Sequence, residues 1–305
     1  MTLFEAILLT VVTASTPLLI AAIGELVVER SGVLNLGVEG MMIMGAATGI
    51  AIAIVTGSSA LGVAAAIGAG MLLAFLFAIL TLGLATNQVA AGLSLAIFGI
   101  GLSGVVGAPF VGLQRAGIGR IEIPILSEIP FFGPLLFRQD PFVYASIALV
   151  IGVAWFLWRT KAGLVLRACG ENPVSAHALG YPVLRIRLYA ILFGGACAGL
   201  AGAYLSLVLT PFWTSGMTAG RGWIALAIVV FASWLPWRAM VGAYLFGGLT
   251  ILQLHAQGAG IGVPSQLLSA MPYLITIVVL AAIMAVRRRG TVAPQALGTP
   301  FVPDR

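Results

Sequence analysis

The stretch "GELVVERSGVLNLGVEG", residues 24–40, lies between two apolar runs and carries Glu25, Glu29, Arg30 and Glu39. Only 8% of the 305 residues are charged, so this concentration demands a local reason. Glu25 and Glu29 are four apart and share a helix face, where like charges repel unless one is protonated or Arg30 bends back to them. "SGVLNLG" then reads as a break: Gly32 permits a turn, Asn35 is placed to cap the next helix, and Glu39 sits near that helix's positive end. A broken helix with free backbone groups is how membrane transporters build a polar site at depth. A tight turn at the membrane surface, its charges paired or facing water, would satisfy the same residues. The stretch is either the inner mouth of a path or its floor.

The rest of the chain makes the bilayer its solvent. Hydrophobic residues make up 61% and the mean hydropathy is +1.13, well above the roughly half-apolar make-up of soluble domains. A hydrocarbon core about 30 Å thick needs helical runs of about 20 apolar residues. Runs of this kind predict an all-α polytopic bundle of about nine helices, near 4–24, 33–55, 60–80, 89–108, 142–158, 188–210, 222–237, 239–256 and 270–286. The 39 glycines suit it, because small residues let membrane helices approach backbone to backbone. Gly45/Gly49 and Gly195/Gly199 have the GxxxG spacing of such contacts. The N-terminus lacks a basic n-region and its apolar stretch is too long for a signal peptide, so it is read as the first retained span.

An odd number of spans puts the termini on opposite sides. With the N-terminus outside and the C-terminus inside, the inner segments hold eleven of the fifteen basic residues, and the outer ones only Arg115, Arg120, Arg138 and Arg221. That partition favours N-out and C-in. Residues 1–286 then form the membrane domain, with an external loop at about 109–141 and an inner loop at about 159–190. Residues 287–305, "RRRGTVAPQALGTPFVPDR", read as an anchor of three arginines followed by a disordered cytoplasmic tail. No internal repeat is evident by eye.

Two polar interruptions stand out. In the inner loop, "ENPVSAHALG" predicts a short helix: Pro173 suits a first-turn position, Glu171 complements the positive end, and Gly180 stops it in a left-handed conformation. "TNQ" at 86–88 is either a turn between spans or a source of uncharged donors and acceptors, Asn87 and Gln88, for a polar solute. Trp213, Trp223, Trp234 and Trp237 fall at span ends, where interface anchoring is the ordinary role. Cys169 and Cys197 suggest neither a disulfide framework nor a metal cluster. Two distant histidines, His177 and His255, support neither a metal site nor histidine catalysis. No catalytic residues, metal or cofactor are therefore assigned.

"LRACGENPVSAHALGYPVLRIRLYAILFGGACAGLAGAYLS", residues 166–206, resembles the coupling region of permease subunits of ATP-binding-cassette importers of the branched-chain amino acid and ribose type. "ERSGVLNLGVEGMMIMGA", "TNQVAAGLSL" and "MTAGRGWIALAIVVFASW" resemble the nucleoside branch that works with Bmp-type lipoproteins. The resemblance covers about residues 10–286. It implies half of a translocation path for a small polar solute, a nucleoside above all, in the plasma membrane of a prokaryote. It also implies a second, non-identical permease subunit, a cytoplasmic ATPase and an extracytoplasmic substrate-binding lipoprotein. Lipid surrounds the chain, and nucleic acid has no part. The ATPase must be separate, because this chain has no G-x-x-x-x-G-K-[ST] loop and its only lysine is Lys161. On this reading Asn35, Glu39, Asn87 and Gln88 border the substrate path. Glu171, Asn172, Pro173, Ala176 and Gly180 form the ATPase coupling helix, with Ala176 small enough to be buried in the ATPase cleft. Cys169 and His177 depart from the family's usual residues there. On physics alone an ion-coupled secondary transporter is the alternative, since buried carboxylates serve such coupling.

Overall fold

The computed structural model describes residues 3–122, 132–258 and 293–303, with isolated positions between them. It is a helical bundle. In chain order the helices are α1 (Leu3–Arg30), α2 (Val38–Thr56), α3 (Ser59–Ala78), α4 (Gln88–Gly107), α5 (Phe132–Phe137), α6 (Pro141–Arg159), α7 (Lys161–Glu171), α8 (Pro173–Ala178), α9 (Val183–Tyr204), α10 (Arg221–Phe231) and α11 (Pro236–Gly258). Single π-helical turns, Ile79–Gly83 and Leu205–Leu209, extend α3 and α9. On the loop after α4, β1 (Ile121–Glu122) pairs antiparallel with β2 (Arg138–Gln139), and Arg138 meets Glu122 at 2.5 Å.

Seven described helices are long and apolar enough to cross a membrane: α1, α2, α3, α4, α6, α9 and α11. They match seven of the nine expected runs. The run expected at 222–237 is different, because α10 has only 11 residues and ends at Phe231. At about 1.5 Å per residue it covers about 16 Å, half a bilayer. Ser233 and Trp234, both at positive φ (51° and 57°), turn the chain before α11. The ninth expected run, 270–286, lies outside the continuous described segments.

Glycines set the spine. A Cβ on Gly70 of α3 would strike the Gly195 carbonyl of α9, one on Gly199 would strike the Ala66 carbonyl, and one on Gly202 would strike the Met42 carbonyl of α2. These helices therefore meet backbone to backbone, which maximises dispersion contact where lipid offers no hydrophobic drive. Gly45 faces Gly199 in this contact, while Gly49 faces Ala66.

The packing also repeats in opposite sense. α1 runs into a break and then α2 and α3, and α9 runs into a break and then α10 and α11. α3 packs on α9, as α11 packs on α1, and α1 and α9 cross between them. This inverted arrangement, of a kind common in transporters, was invisible by eye because no residue pattern survives in it.

Candidate translocation path and coupling surface

α1 ends on Gly32, whose φ of +89° is left-handed. Gly32 N–H donates to the Glu29 carbonyl (2.9 Å) and Val33 N–H to the Val28 carbonyl (3.4 Å), a Schellman stop. A Cβ here would lie 2.7 Å from Arg187 Nη2 and 3.1 Å from Gly170 Cα, so space as well as dihedral requires glycine.

Residues 33–37 then climb back into the bundle without helix. Buried backbone away from water must find partners, and side chains supply them. Leu34 N–H donates to Gln88 Oε1 (2.8 Å), and Asn35 N–H donates to Glu25 Oε1 (3.1 Å). Gly37 N–H donates to Asn35 Oδ1 (2.9 Å). Asn35 thus closes a turn on Gly37, which is itself the N-cap of α2 and has no side-chain cap. The expected capping of α2 by Asn35 is corrected by two residues. The turn is why: the Asn35 side chain is already held by the Gly37 N–H, so it does not reach the amides of the first helical turn.

α2 therefore begins at depth. Gly40 packs on Leu95, Ala96 and Gly99, roughly 10–16 Å along α4 from Gln88. Here Glu39, 3% exposed, receives three donors from the other broken crossing. Thr218 Oγ1 donates to Oε1 (2.6 Å), as does Gly220 N–H (2.9 Å), and Gly222 N–H donates to Oε2 (2.6 Å). Gly220 is the left-handed N-cap of α10, with φ 81° and no side-chain cap of its own. The span-length α2 and the short α10 thus present their positive N-termini to each other inside the bundle, and one carboxylate lies between them. That placement offsets repulsion between the two dipoles and satisfies amides that no water reaches.

The carboxylates of α1 do not pair with Arg30. Glu29 Oε2 accepts the Trp234 indole N–H (2.5 Å), while the Arg30 guanidinium donates to the Trp234 carbonyl (3.0 and 3.2 Å). The two residues hold Trp234 in its left-handed conformation, which costs about 1–3 kcal/mol for a non-glycine residue. Trp234 and Trp213 are buried, 7% and 1% exposed, so neither is the interface anchor expected of it. Trp213 packs on Gly107 at the far end of α4. Trp223 and Trp237 are exposed.

Of the residues expected on the path, Asn35, Glu39 and Gln88 are buried around the break. Both ends of the Gln88 amide are committed to backbone, Oε1 to Leu34 and Nε2 to the Thr299 carbonyl (3.5 Å). Asn87 faces outward and N-caps α4 through Ala90 N–H (3.0 Å). The structure does not bring it to the other three.

On the face where α1 ends, α8 forms the short helix expected. Asn172 N-caps it through Ser175 N–H (2.9 Å), and Pro173 fills its first turn. Gly180 (φ +86°) ends it, its N–H donating to His177 and that of Tyr181 to Ala176. Ala176 is buried within this chain, against Cys169, Val183 and Phe301. An available cleft of a partner is thus not what covers it. Val174, Leu179 and Tyr181 are the apolar side chains that α8 and its stop expose, Leu179 at 77%. Burial pushes the Cys169 thiol above its ordinary value, against the pull of the Arg187 guanidinium.

The tail is also corrected. Residues 293–303 are ordered against this face rather than disordered, because their backbone finds partners there: Ala296 N–H donates to the Gly170 carbonyl (3.0 Å) and Gly298 N–H to the Gly32 carbonyl (3.3 Å). Thr218, Gly220, Gly222, Arg187 and Phe301 were given no role in the site from sequence, and Trp234 only that of an anchor. The glycines of "GMTAGRGW" were the one visible hint, since Gly216, Gly220 and Gly222 crowd an expected helix start.

Two interrupted crossings, α1 to α2 and α9 to α10, inside a bundle of seven apolar spans are the frame of a membrane transport protein. The chain belongs to the family described as "branched-chain amino acid transport system / permease component", whose model matches residues 7–284. It is an ABC transporter permease subunit, a multi-pass protein of the plasma membrane, and works in a complex with ATPase and substrate-binding partners. It is 43% identical to the putative glucose ABC transporter permease protein TsgC13 of Haloferax volcanii, over 88% of this chain and 89% of that one. It is 32% identical to the nucleoside ABC transporter permease protein NupC of Lactococcus lactis, over 95% of each chain. The guanosine ABC transporter permease protein NupQ of Bacillus subtilis is 28% identical over 94% of this chain and 93% of its own.

Proposed function

We propose that this subunit forms half of the translocation path of an importer for a nucleoside. The observation that supports the reading is Glu39, which joins the N-termini of α2 and α10 within the bundle; on this reading the junction is the floor of the path. Solute arrives from a separate lipoprotein on the outer side, passes between this chain and a second, non-identical permease, and leaves past Asn35 when the N-termini of α2 and α10 part. Energy comes from a separate ATPase that seats on the exposed face of α8. The face bearing α7 and α8 is cytoplasmic, with the N-terminus outside, as the basic residues favour.

The relatives NupC and NupQ, named for nucleosides and guanosine, support the substrate class. TsgC13, named for glucose, favours a second reading in which the solute is a free sugar. The sugar ring is the chemistry both share. The deciding experiment is uptake into proteoliposomes holding the complete transporter, with labelled guanosine, uridine and glucose, with and without internal ATP. Uptake of nucleoside that stops without ATP is expected. Glucose taken up in preference would replace the substrate, and uptake that persists on an ion gradient alone would reject the importer.

A further inference from the structure

The C-terminal segment 293–303 spans the gap between the coupling helix and the broken floor. Its last described aromatic, Phe301, is buried among Cys169, Ala176 and Val183, and its ring stands edge-on to His177 at 5.7 Å. Phe301 therefore covers the inward face of α8, the side opposite Val174 and Leu179. Two residues earlier, the Thr299 carbonyl accepts from both Arg187 Nη1 (3.3 Å) and Gln88 Nε2 (3.5 Å). The other ends of those two side chains hold the break: Arg187 Nε donates to the Ser31 carbonyl (3.1 Å), and Gln88 Oε1 accepts from Leu34 N–H (2.8 Å). Gly298 N–H reaches the Gly32 carbonyl directly. Arg187 is fully buried, which makes this junction costly to leave unsatisfied.

We infer that residues 293–303 are a tie that transmits displacement of α8 to the break at Ser31–Asn35, so that ATP hydrolysis is coupled to opening of the floor. The inference rests on the reading of α8 as the ATPase seat and of the break as the path floor. A buried ring at one end, a twice-bonded carbonyl at the other and a short span give the tie its physical content: Phe301 and Thr299 are about 7 Å apart if extended. A shift of α8 that carries Phe301 pulls on Thr299, and through it on both side chains that hold the non-helical backbone. Coupling of this kind travels through packed side chains and hydrogen bonds that have two arrangements.

The test uses the complete transporter in proteoliposomes and reads nucleoside moved per ATP hydrolysed. Phe301→Ala and deletion of residues 293–305 should leave assembly and ATP hydrolysis in place and cut that ratio about tenfold, within the range by which residues on such a network shift coupling. Phe301→Leu, which refills the seat, should restore it. An unchanged ratio in both variants overturns the tie. Loss of ATPase association in both also overturns it, since the segment would then be part of the docking surface. Failure of the underlying reading shows separately: Leu179→Arg would keep its ATPase bound if α8 were not the seat, whatever the variants of the tie do.

Discussion

Glu39 is the second residue of α2 and Gly222 the second residue of α10, and the carboxylate of the first accepts the amide of the second at 2.6 Å. The pair sits where the inverted halves meet, so one side chain serves both. Glu39→Gln keeps the shape, removes the charge and turns an amide donor toward donors. Charge-assisted hydrogen bonds contribute about 1.5–3 kcal/mol each. Uptake by the complete transporter should fall by about tenfold or more, and the thermal midpoint of the purified complex should drop. Ligand binding by the separate lipoprotein should not move. Normal uptake at wild-type expression would remove Glu39 from the path.

Trp234→Phe removes the indole N–H that satisfies Glu29 and keeps most of the packing. A buried carboxylate left without its donor costs about 1–3 kcal/mol or more. Glu29→Gln in the same background should recover part of the loss, because the uncharged amide is less costly to bury. Thermal unfolding of the single and double variants in detergent checks this, and additive losses would show that the two residues do not act together.

Gly32 and Gly57 are both left-handed, at 89° and 73°, yet their surroundings differ. A Cβ at Gly32 meets Arg187 and Gly170, and one at Gly57 meets nothing within 4 Å. Gly57→Ala should cost about 1–2 kcal/mol, the strain of the dihedral alone. Gly32→Ala should cost more and lower the yield of folded protein several-fold. Equal yields and midpoints would mean that Arg187 yields freely.

How much of this was legible beforehand follows the separation between partners. The stop at Gly180, the first-turn place of Pro173 and the break at Gly32 are local, so residue type and spacing identify them. The spans follow from apolar length. Glu39 was singled out for its own helix, whereas its donors lie some 180 residues away on a helix too short to be told from a span by hydropathy. Trp234 sat at an expected span end and looked like an anchor, since nothing near it in sequence carries the Glu29 carboxylate. The tail misled for the same reason: "PQALGTPF" has the proline-bearing make-up of disorder, and the groove that orders it is assembled from the break after α1 and from α4, α7, α8 and α9.

Ser175 lies exposed on α8 and tests the orientation. In a background with Cys169 and Cys197 replaced by serine, Ser175→Cys should react with an impermeant maleimide in inverted vesicles and stay unlabelled in intact cells. Labelling in intact cells would reverse the topology and move α8 away from any cytoplasmic ATPase.

Cys169 reports on the 293–303 segment through pH. Burial raises its thiol above the ordinary value of 9.0, so the native state holds the proton where an unfolded chain would release it. The neutral thiol thus contributes stability that is complete below about pH 9 and declines as pH rises toward the folded value. Alkylation of the native protein should be slow at pH 8. Phe301→Ala, by opening the cluster, should bring the rate at pH 8 close to that of a free thiol. An unchanged rate would mean that Phe301 does not shield it.

The backbone-to-backbone seats of Gly70, Gly199 and Gly202 have a mechanical consequence. A carbonyl lodged where a methyl group would stand acts as a dovetail, so α2, α3 and α9 cannot slide along one another without forcing each glycine past the next side chain. Shear is closed to them. A transport cycle has to proceed by rocking this block as a single piece, or by swinging the short α10 about its Trp234 pivot, and a spin-label pair across α3 and α9 should keep one distance in every nucleotide state.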